Sequence, residues 1–227
     1  MTPSLPHVDR VLLRRYSSCG ACLALTFDDG PGPLLTPRVL DLLCTHSAKA
    51  TFFMLGMRVD KAPELVERVR GQGHELGCHT HDHLNAWKVS PWRAAADIDK
   101  GYQTLARWVP SNALFRPPYG KSTPFTLRQI RRRGAKTVLW THDSGDTAKE
   151  LPKPGQIIDA VRRDRGGVVL LHDFDRESDS AYNVARAEYV LEVTQGLLEA
   201  AARDGLRVIT AGQLLADCGS MQRAGWT

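Results

Sequence analysis

The chain has 227 residues, 42% hydrophobic and 24% charged, with a formal net charge of +5. That size and balance fit one globular domain with a substantial core, and no run is long enough to cross a membrane. Residues 1–11 lack the basic-then-apolar order of a secretion signal, so a cytoplasmic protein is expected.

Short apolar runs predict strands over 22–27, 50–55, 74–78, 113–116, 136–141, 167–171 and 206–210, with helices between them. The first helix is expected from Thr36, with Pro37 at its first position and Val39, Leu40, Leu42 and Leu43 along its apolar side. The next has Pro63 near its start and Gly71 at its end. Another opens at Ser90-Pro91 and runs to about Trp108, and the rest are expected over 123–133, 155–164, 183–203 and 211–217. Some seven βα units, each too short to stand alone, imply a parallel sheet in one α/β domain, most simply closed into a barrel.

Several features point away from other classes. Five cysteines, Cys19, Cys22, Cys44, Cys78 and Cys218, are too few and too scattered for a disulfide framework. Cys19 and Cys22 form a lone CxxC with no second pair nearby, so ordinary thiols are expected there. Arginines are densest over Arg128 to Arg133, on an expected helix, and read as a solvated face rather than a nucleic-acid surface. No phosphate-loop, nicotinamide or flavin fingerprint is present.

Ionisable residues collect just past the strand ends. Asp28 and Asp29 follow the first run; His79, His81 and His83 follow the third; Arg116 opens Pro117-Pro118-Tyr119-Gly120. His142, Asp143 and Asp146 follow the fifth run, and His172 and Asp173 the sixth. In a parallel barrel these points share one rim, the face that carries active sites.

Two adjacent carboxylates at a strand end repel unless a cation or hydrogen bonds compensate. His79 and His83 are four apart, so one helical turn would put both imidazoles on one side, with His81 pointing away. One carboxylate and two imidazoles make three ligands and leave a fourth position for water, the catalytic arrangement for zinc. The other aspartate is then free to take a proton from that water. Arg116 would orient this base, and His172 is the candidate general acid, oriented by Asp146 or Asp143. These parts suit hydrolysis of an amide or ester.

Thr26-Phe27-Asp28-Asp29-Gly30-Pro31, His79-Thr80-x-x-His83, Arg116-Pro117-Pro118-Tyr119-Gly120, Asp143-Ser144-x-Asp146 and Leu170-x-His172 resemble the five ordered motifs of the polysaccharide deacetylases, the NodB-homology carbohydrate esterases. The resemblance spans roughly residues 20–215. It implies a single-domain distorted (β/α) barrel over 20–217, with an N-terminal extension over 1–19 and a tail over 218–227. It also implies metal-dependent removal of acetyl from an N-acetylated sugar, N-acetylglucosamine-type oligosaccharide or biosynthetic intermediate. An O-acetyl esterase and a catalytically silent sugar-binding protein are the alternatives on the same fold. Carried over by position, Asp28 is the base tethered by Arg116, and Asp29, His79 and His83 hold one divalent metal. Zinc is favoured by this donor set, with cobalt, nickel, iron or manganese also compatible. Tyr119 lends a backbone N–H to the oxyanion, Leu170 lines the acetyl slot, and His172 is the acid oriented by Asp146.

Two positions depart from the family pattern. Thr147 stands where a Trp usually walls the acetyl pocket, and Trp140 or Trp87 could replace it, although Trp140 is expected in the core. Cys78 replaces a common Asn before the first ligand histidine and is expected to be a small buried residue. His74 matches a family position outside the metal set and is expected to be structural.

Overall fold

A computed structural model describes residues 21–175 and 181–223. Six strands form one parallel sheet: β1 (Cys22–Asp28), β2 (Thr51–Met54), β3 (Glu75–Cys78), β4 (His142–Asp143), β5 (Gly166–His172) and β6 (Arg207–Val208). Helices α1 (Leu35–Thr45), α2 (Gly56–Val59), α3 (Pro63–Gly71), α4 (Pro91–Leu105), α5 (Pro124–Arg132), α6 (Pro154–Arg163), α7 (Ala181–Asp204) and α8 (Ala211–Arg223) join them. The strand order is β3-β2-β1-β5-β4, with β6 also on β1. Single parallel bridges, Cys78 to Phe115 and Phe115 to Thr137, carry the ladder from β3 round to the segment that becomes β4. The ring therefore closes as a distorted (β/α) barrel.

The period of two along each strand sorts side chains between two cores. Leu23, Leu25 and Phe27 pack outward beneath the helices, with Leu35, Val39, Leu40 and Leu43 of α1. Cys22 and Ala24 face inward with Phe53, Val138 and Val168. The same alternation turns Thr26 and Asp28 inward, and on β5 it does so for Leu170 and His172. Register then sets Asp28 directly beside His172 and Thr26 beside Leu170. Gly77 of β3 is glycine because the Phe53 ring fills its inner side; a Cβ there would lie 2.5 Å from that ring. These inward rows end at the carboxyl rim.

Three expected strands are shorter than the apolar runs suggest. The run 113–116 pairs only at Phe115, because Pro117 and Pro118 have no N–H with which to extend the ladder. The run 136–141 pairs only at Thr137, then swings to β5 and pairs as His142–Asp143. The run 206–210 keeps Arg207–Val208, beside Cys22 and Leu23; higher on the same edge of β1, Thr26–Asp28 pair with β2.

Helix starts follow their signals. Ser90 caps α4 through its Oγ and Pro91 sits in the first turn; Thr123 and Thr126 form a capping box on α5. The first helix begins at Leu35 rather than Thr36, its leading amides at Leu34 and Leu35 held by the Asp175 carboxylate at 2.6 and 3.2 Å. Helix α8 continues past residue 217 to Arg223, and the short α2 was not foreseen. The expected extension over 1–19, including Cys19, lies outside the described residues. No described helix is long and apolar enough to cross a membrane.

Candidate active site

Asp28 lies at the end of β1, 2% exposed, inside the barrel mouth. Its Oδ1 accepts a 2.8 Å bond from Arg116 Nη1. Arg116 is fully buried, and each of its nitrogens has a partner: Nη1 also reaches Thr26 Oγ1 at 2.7 Å, Nε the Val138 carbonyl at 3.1 Å, and Nη2 the Leu139 carbonyl at 3.1 Å. The Phe53 ring lies under the guanidinium at 4.2 Å. A guanidinium is weakly hydrated, so burial with such partners is within its reach.

Asp29 leaves the strand with φ +67°, which turns its carboxylate away from the path of Asp28. Its Oδ1 lies 3.3 Å from His79 Nε2 and 3.2 Å from His83 Nε2, and neither contact has hydrogen-bond geometry. His79 Nδ1 is 2.7 Å from the Arg116 carbonyl, which can only accept. Nδ1 therefore carries the ring proton, and in the neutral ring a lone pair on Nε2 faces the carboxylate. Two acceptors so close repel each other unless a cation or a proton stands between them. Burial alone would raise the Asp29 carboxyl, but His79, His83 and His172 together hold it well below the usual carboxylate range. Asp29, His79 and His83 are thus grouped as a set able to hold a metal ion.

The two histidines do not share a helical turn, as their spacing suggested. Residues 79–85 form a loop, with positive φ at Thr80 (67°) and His83 (57°). What shapes it is Asp97 of α4, a 4%-exposed carboxylate that sequence reasoning passed over. Asp97 Oδ1 accepts the amides of His81 (3.1 Å) and Asp82 (2.6 Å), and Oδ2 that of Leu84 (3.1 Å). Gly101, one turn on, lets the Thr80 backbone approach; a Cβ there would lie 2.5 Å from it. His81 points away from Asp29, as expected, with Nδ1 2.5 Å from Asp82 and Nε2 3.2 Å from Asp60.

Across the mouth, His172 Nδ1 is 2.8 Å from Asp146 Oδ1, and Asp146 Oδ2 accepts the His172 amide at 2.9 Å. Of the two acids considered for this task, Asp146 is the partner. Asp143 is exposed and accepts the Gly145 amide instead. Burial would lower the His172 imidazole, but Asp146, then Asp28 and Asp29, outweigh it and raise it to about 9. Arg186 of α7, unmarked in the sequence, is buried behind this pair and donates to the His172 carbonyl at 3.0 Å. Next in chain, Asp173 is wholly buried; desolvation lifts it to about 7, against a 2.6 Å bond from Thr36 Oγ1.

The other residues of the rim and its surroundings lie in different settings. The Tyr119 ring, on a short 3-10 turn over Pro118–Gly120, lies 4.6 Å from that of His83. Leu170 is buried beside Thr26, and Thr147 is exposed. Trp140 is half-buried against the inner cluster, 5.7 Å from the Arg116 guanidinium, and Trp87 is 59% exposed. Cys78 is core, and burial pushes its thiol up to about 12. His74 is buried and accepts the Ala50 amide at 3.2 Å. His142 turns to Asp164, outside the group. In the arginine run, Arg133 pairs with Asp99, while Arg128, Arg131 and Arg132 are exposed.

Residues 16–138 match the family model for polysaccharide deacetylase. A peptidoglycan-N-acetylglucosamine deacetylase of Bacillus cereus is 38% identical over 197 residues, covering 85% of this chain and 87% of its own. A chitooligosaccharide deacetylase of Bradyrhizobium is 34% identical over 204 residues, covering 84% and 89%. The solved peptidoglycan deacetylase PdaC from Bacillus subtilis superposes with a TM-score of 0.73 at 27% identity, covering 91% and 97%. Family model, relatives and barrel agree, and the chain belongs to the polysaccharide deacetylase family.

Proposed function

We propose that the chain is a divalent-metal-dependent N-deacetylase of N-acetylglucosamine-type oligosaccharides. The carrying observation is the convergence of Asp29 Oδ1 with two imidazole nitrogens at 3.3 and 3.2 Å, with no hydrogen bond to that buried oxygen among the described residues. A cation resolves that arrangement, and two imidazoles with one carboxylate favour zinc, with cobalt, nickel, iron or manganese also compatible. The names of the relatives, which act on peptidoglycan N-acetylglucosamine and on chitooligosaccharides, support the substrate class.

Asp29, His79 and His83 would hold a divalent ion, which would supply Lewis-acid activation there. Asp28, fixed by Arg116 and 3.8 Å from His79 Nε2, takes the proton from the attacking water as its oxygen bonds to the acyl carbon. The Tyr119 backbone N–H donates to the oxyanion that develops. His172, cationic near neutral pH and aligned by Asp146, gives its proton to the amide nitrogen as the C–N bond breaks. Acetate and a free amino sugar leave. Leu170 lines the acetyl slot, and exposed Thr147 stands where the family pattern has a Trp.

The test is acetate release from chitooligosaccharides, peptidoglycan, acetylxylan and N-acetylglucosamine, with metal analysis of the same samples. Release from the N-acetylated sugars, lost on chelation and restored by zinc or cobalt, supports the proposal. Release from acetylxylan alone would replace it with an O-acetyl esterase. A metal-loaded protein that releases acetate from none of them would be a silent sugar binder.

A further inference from the structure

We infer that the segments leading away from His83 and from Tyr119 together form a track for the sugars that neighbour the reacting one. The inference rests on the deacetylase reading for its ligand class. Three contacts tie the two segments, each further along both chains than the last. The His83 and Tyr119 rings lie 4.6 Å apart at the metal-holding group. Four residues after His83, the Trp87 indole N–H donates to the Ser122 carbonyl at 3.0 Å, and Lys121 Nζ lies 4.9 Å over the Trp87 ring. Beyond them, Trp92 packs edge-on against Phe125 at 4.9 Å.

These rings are exposed although each is fixed. Tyr119 is 57% exposed, Trp87 59% and Trp92 73%. Large aromatics left in water on two segments that contact each other need a reason. They do not add to the core, and their anchoring means that little ring freedom is lost when something docks. The indole N–H of Trp87 is already used and Lys121 Nζ lies over one side of the ring, so that ring has its other apolar face to offer. A pyranose in a β-linked amino-sugar chain presents a matching face of C–H groups, with its hydroxyls turned outward. Lys121 beside that ring adds donors for hydroxyl and acyl oxygens. Four residues of chain span at most about 14 Å, so Trp87 lies within a few sugar units of the reacting group. The track thus favours an oligosaccharide over a monosaccharide intermediate.

Binding of N-acetylated chitotetraose and of N-acetylglucosamine is measured by calorimetry on the metal-loaded protein, alongside Trp87→Ala, Trp92→Ala and Trp87→Phe. The tetrasaccharide is expected to bind the wild type more tightly than the monosaccharide. Its affinity should fall about tenfold in Trp87→Ala, less in Trp92→Ala, and be largely kept in Trp87→Phe. The preference for tetrasaccharide over monosaccharide in kcat/KM should shrink in the same order. Equal affinity of the wild type for both sugars, or a Trp87→Ala protein that binds like the wild type, overturns the inference. Trp87-dependent tetrasaccharide binding without acetate release from any sugar would sink the deacetylase reading and leave the track standing.

Discussion

One loop carries two clusters of acids and histidines, and they differ in whether their lone pairs are spent. Asp97 uses both oxygens on three backbone amides, so the group His81, Asp82 and Asp97 is an anchor. Asp29 leaves Oδ1 facing two imidazoles without a hydrogen bond, and His79 and His83 aim ring nitrogens at it. Residue type does not separate the clusters, because both hold acid and imidazole within ligand reach of one another. The amides do: three of the roughly four acceptor sites of Asp97 are already filled by backbone, which leaves little for a cation. Asp173 is a third case, a buried carboxylate with Oδ1 unsatisfied and no imidazole bonded to it. Burial lifts its carboxyl to about 7, so it carries only part of its charge near neutral pH.

Breaking the open cluster should have the largest effect. Asp29→Asn or His79→Ala is expected to abolish acetate release and to weaken zinc binding by more than about 100-fold, measured by competition with a chelating dye. Wild-type metal affinity in either variant would remove the cluster from consideration. Asp28→Asn should lower kcat about 10²- to 10⁴-fold while metal content stays unchanged, which separates base from ligand.

Loosening the anchor sharpens the contrast. Asp97→Asn puts an NH₂ group among amide donors and should weaken metal binding about tenfold with every ligand still present. Unchanged metal affinity with a lowered Tm would make Asp97 a fold residue only. Because the folded-state value of His172 is raised from 6.5 to about 9, its stabilisation is complete below pH 6.5 and disappears as pH rises through 9. In the metal-free protein, NMR titration should show that transition, and Asp146→Asn should move it down. The smallest effect concerns Asp173, whose folded value is lifted from 3.8 to about 7. The folded state loses stability as pH rises between those values, so Asp173→Asn should gain more Tm at pH 8 than at pH 4.

Much of the rim was readable because strand ends are local events. An apolar run ending in Asp28-Asp29, or in His172, marks its own position on a parallel barrel. Arg116 and Asp146 also stand at or just past the ends of apolar runs, and the family resemblance chose Asp146 over Asp143. Asp97 and Arg186 were not readable, because each sits in a helix at a position that looks like ordinary solvent face. Only the fold reveals that Asp97 meets the loop at His81, Asp82 and Leu84, and that Arg186 meets the carbonyls of His172 and Phe174. The loop geometry of His79 and His83 was misread for the same reason: an i, i+4 spacing names a turn only when nothing distant pulls the backbone into positive φ. The short pairings at Phe115 and Thr137 follow from proline and from partner changes, which apolar periodicity does not register.

Arg116 also has a structural consequence. Where the ladder narrows to single bridges at Phe115, its side chain reaches Thr26 and Asp28 on one side and the carbonyls of Val138 and Leu139 on the other. It stitches the barrel shut across its weakest seam with the same group that holds Asp28 in place. Losing Arg116 would unseal the mouth whether or not Asp28 is in use. Its persistence in a relative would therefore say more about folding than about catalysis.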